Sequence, residues 1–187
     1  MNPRLQSFIG GALALLGWAG VAPLAADSPA VAGEPGCLPG GGGRLEMQVS
    51  GAFEARLSWP NEGTRCEGGP RPAGDALRLM FSRADEALLV VIGITGLERG
   101  AVGQGMPANL TMVREGKGEF YGTLGADACI VTVTLNEAEP GLADAWRVSG
   151  HGECTAPVEA IARDGEIRLA PFAFTGLAFW PDEAEED

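Results

Sequence analysis

The chain has 187 residues, with 25 acidic and 13 basic side chains and a net charge of −12 at pH 7. So acidic a surface repels phosphate backbones and anionic lipid, which sets nucleic acids and membrane surfaces aside as expected partners. A single histidine is too few for an oxidoreductase centre built on several imidazoles.

The chain opens on MNPRLQSFIGGALALLGWAGVAPLAADSPAVAG, with Arg4 near the start, an apolar run from Phe8 to Val21 and small residues after it. A basic start, apolar middle and small-residue exit predict a secretory signal peptide, residues 1–26, with cleavage after Ala26 or as late as Ala32. Phe8–Ala25 is just long enough to span a bilayer. Gly10, Gly11, Gly17, Gly20 and Pro23 interrupt it, and cleavage is the reading adopted. Glu34-Pro35-Gly36 before Cys37 is no lipid-attachment motif. Counted from Gly33, 24 acidic and 12 basic residues remain, so the net charge is still −12. Arginine outnumbers lysine twelve to one and glycine and alanine abound, as in proteins of GC-rich bacterial genomes. The expected destination is therefore the periplasm or the cell exterior. The sequon Asn109-Leu110-Thr111 carries no weight there.

Residues 33–181 are expected to form a single domain, long enough to bury a core. Glycine and proline break this stretch into short runs. RLEMQVSGAFEARLSW alternates Leu45, Met47 and Val49, then Phe53, Ala55, Leu57 and Trp59, and predicts a hairpin. CEGGPRPAGD follows as punctuation. ALRLMF alternates Leu77, Leu79 and Phe81. ALLVVIGI is apolar on both faces and reads as a central strand. GLERGAVGQGMP reads as a loop, and NLTMVRE with GEFYGTL as a hairpin across Gly116-Lys117. CIVTVTLN and AWRVSGHGEC form the next hairpin. APVEAIAR fits one short helix, and EIRLAPFAFTGLAFW supplies one or two closing strands. The expected fold is all-β, an antiparallel sandwich or barrel of about nine to ten short strands. The tail, residues 182–187, carries five acids in six positions and is expected to be solvated and disordered.

The four cysteines, Cys37, Cys66, Cys129 and Cys154, all follow the leader. Their even number in an exported chain predicts two disulfides. Zinc needs close pairs, whereas these spacings are 29, 63 and 25. The connectivity follows from SGHGEC. Its strand turns Ser149, His151 and Glu153 to one face and Trp146, Val148, Gly150, Gly152 and Cys154 to the other. On the preceding strand Cys129, Val131, Val133 and Leu135 share a face. Setting Cys129 opposite Cys154 matches Val131 with Gly152, Val133 with Gly150 and Leu135 with Val148. Thr132 then faces His151, and Thr134 faces Ser149. The register predicts Cys129–Cys154 and, by elimination, Cys37–Cys66. The two glycines are expected to make room for a large side chain from an opposing sheet.

The glycine clusters are not nucleotide motifs. Gly40–Gly43 leads to Arg44 rather than Lys-Ser, and Gly103-x-Gly105-x-x-Ala108 does not lie between a strand and a helix. Ser149, His151 and Glu153 are residue types of a hydrolytic triad. Neighbours two apart on a strand, however, sit about 6.5–7 Å from one another, and a relay needs hydrogen bonds of about 2.6–3.2 Å. His151 reads as a surface histidine. No catalytic residue, cofactor or metal site is expected. The expected function is a non-enzymatic binding or structural module whose partner is a protein, a glycan or an apolar small molecule. Two alternatives stay open: a hydrolase using a carboxylate pair, although Glu115 and Glu119 at a glycine turn read as a charged hairpin tip and no pair stands out, and a lipocalin-like carrier of an apolar ligand.

Overall fold

Alternation from Arg44 to Trp59 becomes the hairpin of β1 (Arg44–Gly51) and β2 (Ala55–Trp59) in a computed structural model that describes residues 36–72, 76–125 and 128–181. The expected signal peptide and acidic tail lie outside the described residues. All the described residues belong to one compact unit, 32–187. Leu45, Met47, Val49, Leu57 and Trp59 point inward and are buried, while Arg44, Glu46, Gln48, Arg56 and Ser58 are exposed.

Ten further strands follow: β3 (Arg65–Pro70), β4 (Ala76–Arg83), β5 (Leu88–Thr95), β6 (Gly103–Arg114), β7 (Glu119–Gly122), β8 (Cys129–Ala138), β9 (Ala145–Cys154), β10 (Val158–Ala160), β11 (Glu166–Leu169) and β12 (Phe172–Phe179). Every pairing is antiparallel, within one twelve-stranded sheet. Twelve exceeds the expected nine to ten because three long strands are each interrupted once. One edge of β6 carries β8 at Gly103–Ala108 and β7 at Thr111–Arg114. Likewise β9 and β10 run on from one another, and β11 and β12 share one edge of β1. The sheet is a meander of nine lanes that curls back on itself. It closes on itself where β3, at one end, packs against β12: a Cβ on Gly69 of β3 would lie 3.0 Å from the Phe179 carbonyl, and across the interior Phe81 of β4 stacks edge-on against Phe174 at 6.4 Å.

Inside the curl lie Leu77, Leu79, Phe81, Val90, Ile92, Ile94, Leu110, Tyr121, Val148 and Phe174, all essentially inaccessible. Each such side chain removed from water contributes about 1.5–3 kcal/mol. The glycines of SGHGEC do make room for large side chains, but from the next strand rather than an opposing sheet. Gly150 pairs with Phe174 and Gly152 with Phe172. A Cβ would come within 2.8 and 2.7 Å of the respective rings, so each phenylalanine lies over a glycine.

Four expectations are corrected. APVEAIAR is not helical: Val158 is buried and paired with Ile167 of β11, and this pairing overrides a weak helical pattern. CEGGPRPAGD supplies β3, whose glycines permit close backbone approach; a Cβ on Gly68 would lie 2.4 Å from the Arg78 carbonyl. Part of GLERGAVGQGMP is the start of β6, where Gly105, at φ +61, sits in a bulge between Gly103 and Met106. Finally, the β8–β9 register holds from Cys129–Cys154 to Val133–Gly150 and then slips at Thr134. Beyond this bulge Leu135 faces Ser149, and Asn136 faces Val148. The slip turns Asn136 inward, where its amide donates to the carbonyls of Glu98 and Ala101 at 2.9 Å and ties down the β5–β6 connection.

Candidate functional site

Both predicted disulfides are present, Cys37–Cys66 and Cys129–Cys154, and they indicate a non-reducing, extracytoplasmic environment. No helix among the described residues is long and apolar enough to cross a membrane. Cys129–Cys154 clamps one end of the β8–β9 ladder. Cys37–Cys66 fastens the segment before β1 to β3.

The face of SGHGEC that carries Ser149, His151 and Glu153 looks outward, with His151 exposed between Thr132 and Ala173. The Ser149 hydroxyl is engaged elsewhere, 3.0 Å from the Thr175 hydroxyl. The constellation is a polar outer wall. Among the described residues no group of three or more His, Cys, Asp or Glu side chains converges.

Carboxylate pairs were the other candidate. Glu119 is gripped by Arg114 at 2.6 Å and Arg163 at 2.8 Å, while Arg163 also bonds the Tyr121 hydroxyl and Arg114 lies over the Phe53 ring at 4.4 Å. The Arg163 hydrogen bond, then Arg114, holds the Glu119 carboxyl below its ordinary value against the opposing effect of desolvation. A general acid needs the reverse, so Glu119 is a structural ion pair that links β7 to Arg114 of β6 and to Arg163 beyond β10. Because its carboxylate is favoured in the folded state, its stabilisation is present above pH 4.5, the ordinary value, and disappears as pH falls through the lowered one. Glu119→Gln is therefore expected to melt below the parent at neutral pH, and the two melting curves are expected to converge on acidification. A gap in Tm that persists at about pH 2–3 would contradict this.

A polar cleft of ≈ 480 Å³ runs along β1 and β2, lined by Glu46, Gln48, Arg56, Ser58 and the Ala170-Pro171 break. Glu54 lines its continuation and accepts the Gly51 N–H at 3.2 Å. Glu54 lies past the Val49–Ala55 pair, whereas Glu46 pairs with Ser58. That offset of about four residues is about 13 Å along a strand, beyond the 5–9.5 Å or so of glycosidase pairs.

The outer wall of β3 to β7 departs from the pattern. A sheet with one face in water alternates apolar-in and polar-out, as β1 and β9 do. On β5 the outward residues are instead Leu89, Val91, Gly93 and Thr95. Met80 pairs with Val91, Leu89 with Val113, and Val113 with Phe120, so the apolar residues are contiguous across four strands. Phe120 is 47 % exposed, and beside it Ile161, whose N–H bonds the Phe120 carbonyl, is 53 % exposed. Next to this patch Arg78 pairs across to Gly69 on one side and Gly93 on the other. Arg71, the residue after β3, lines the same clefts as Arg78. The two guanidiniums line two adjoining clefts, one of ≈ 480 Å³ rimmed by Met80, Pro70, Pro72 and Phe179, the other of ≈ 350 Å³ over Leu89, Val91, Val113 and Phe120. Among the described residues neither arginine has a carboxylate partner, as Arg44, Arg56 and Arg65 also have none, whereas Arg114, Arg147, Arg163 and Arg168 each do.

No protein-family model, no curated protein and no solved structure matches this chain. Its function must be argued from its own geometry. Sequence reasoning noticed the two-faced apolar run of β5 but not the wall, because the arginines lie in and beside a stretch read as loop.

Proposed function

We propose that this protein is a non-enzymatic binding module of the periplasm or cell exterior that engages a protein partner through the outer wall of β3 to β7. The observation that carries the reading is the contiguous apolar surface of Met80, Leu89, Val91, Val113, Phe120 and Ile161, on a sheet whose other outer faces are largely polar. Isolated exposed apolar residues are ordinary, but a contiguous patch with aromatic and arginine side chains at its rim has the composition of an interface. The disulfides and the amino-terminal pattern support export. Interior positions filled by Trp59, Phe81, Tyr121 and Phe174 favour this reading over a carrier with an internal ligand cavity. The ion-paired Glu119 and the offset of Glu46 from Glu54 favour it over a carboxylate hydrolase.

The test is a photoreactive amino acid placed at Val91 or at Phe120, with His151 as the control, in the producing cell. Adducts to a second protein are expected from the first two positions and not from His151. Adducts from His151 alone, or from none of the three, would contradict the assignment.

A further inference from the structure

Resting on that reading, we infer that the wall takes an acidic, apolar peptide segment of its partner, with carboxylates on Arg71 and Arg78 and apolar side chains on Met80, Val91 and Phe179. Arg44, Arg56 and Arg65 likewise lack a carboxylate partner among the described residues, so it is the placement of Arg71 and Arg78 that marks them. The two lie together. They share both clefts, and the residues opposite Arg78 are glycines, so no Cβ stands beside its side chain on either neighbouring strand. A guanidinium on a sheet wall presents a planar fork of donors that accepts a carboxylate through two parallel bonds.

The surroundings select what accompanies the carboxylate. Phe179, 42 % exposed, Met80 and the prolines at 70 and 72 rim the first cleft, while Leu89, Val91 and Phe120 floor the second. Arginine and aromatic side chains beside apolar pockets are the residues that dominate binding energy at protein interfaces. A free inorganic anion would use the arginines and leave the apolar rim idle. A purely apolar segment would bury two guanidiniums without a counter-charge, which is costly. A segment that mixes the two chemistries satisfies both. Arg65, also on the outer face of β3, adds a third positive charge, and Glu67 between them is the one nearby acid on that strand. Glu67 pairs with Met80 and itself lines the first cleft, so Arg71 and Arg78 supply the cleft's positive charge against one described carboxylate. Attraction acts at contact range, within the Debye length of about 8–10 Å, rather than at a distance.

The probe is the synthetic peptide Phe-Trp-Pro-Asp-Glu-Ala-Glu-Glu-Asp, the sequence of residues 179–187, with an amidated control in which Asn and Gln replace Asp and Glu. Both are titrated into the isotope-labelled full chain and into a chain ending at Pro181, which removes competition from the protein's own acidic end. Backbone amide shifts are expected at Gly69, Arg78 and Val91. Affinity is expected to fall at least tenfold with the control peptide, and as much again in Arg71→Glu/Arg78→Glu. Arg78→Gln, which removes charge without reversing it, is expected to lie between, with the rest of the spectrum unchanged in both variants. Absence of shifts in both chains, equal binding of the amide control, or shifts centred on His151 would overturn the inference. If Val91 still crosslinks to a partner in those cases, the wall stands and only the partner's chemistry is wrong. If Val91 does not crosslink, the reading beneath the inference has failed.

Discussion

Phe174→Ala is expected to destabilise the fold by about 3–5 kcal/mol, the range of buried phenylalanine truncations. Phe174 is 1 % exposed and lies on β12 between Leu45 of β1 and Gly150 of β9. Its ring covers Gly150 on β9 and touches Phe81 of β4 edge-on at 6.4 Å. A glycine has no side chain to move into the space left behind, and Phe81 already fills the position over Gly176. The cavity should therefore persist rather than collapse, which favours the upper part of the range. Phe174→Leu, which restores most of the volume, is expected to cost markedly less. Chemical denaturation of the two variants against the parent measures this. A loss below about 1 kcal/mol for the alanine variant would mean that β4 and β9 do not pack closely around this ring.

The second large effect is expected from Cys129→Ala/Cys154→Ala, removed as a pair so that no thiol is left free. The bridge spans 25 residues of sequence. For loops of that size the chain-entropy model gives about 3–4 kcal/mol, a large share of the 5–15 kcal/mol or so by which a domain is stable. The β8–β9 ladder continues from Cys129–Cys154 through Val133–Gly150 without help from the sulfurs, so the double variant is expected to fold, with an earlier unfolding midpoint. An unchanged midpoint would show that the bridge adds nothing to the register it clamps.

Strand alternation made much of this fold legible. Leu45, Met47 and Val49 against Leu57 and Trp59 defined one hairpin, and the facing sets Cys129–Val133 and Gly150–Cys154 defined another closely enough to fix the disulfides. The misses share a cause: local composition loses to pairing that becomes visible only in three dimensions. Gly68 and Gly69 read as a loop, yet their lack of a side chain lets β3 approach both β4 and the end of β12. Val158 looked helical over too short a window, and its partner lies on β11. The bulge at Thr134 left no mark in the alternation before it. The one signal was Asn136, a polar residue that a single extra residue turns inward to carbonyls needing a donor.

The candidate site was half legible. ALLVVIGI showed its two apolar faces, and the natural inference was a strand covered on both sides. In the fold one side meets the core and the other meets solvent. Arg71 and Arg78 gave no sequence signal, because only the hairpin of β3 and β4 brings them to one end of that surface. SGHGEC drew attention through residue types alone, and strand geometry explains why those side chains stand apart.

The claim that the β3–β7 wall is the binding face is tested most directly by Val91→Glu/Phe120→Glu in the producing cell. Crosslinked complexes and the Tm of the purified protein are measured side by side. Both side chains already reach solvent, so the Tm is expected to stay close to that of the parent, while the crosslinked complex falls at least tenfold. Undiminished complex formation by a stably folded Val91→Glu/Phe120→Glu protein would contradict the account.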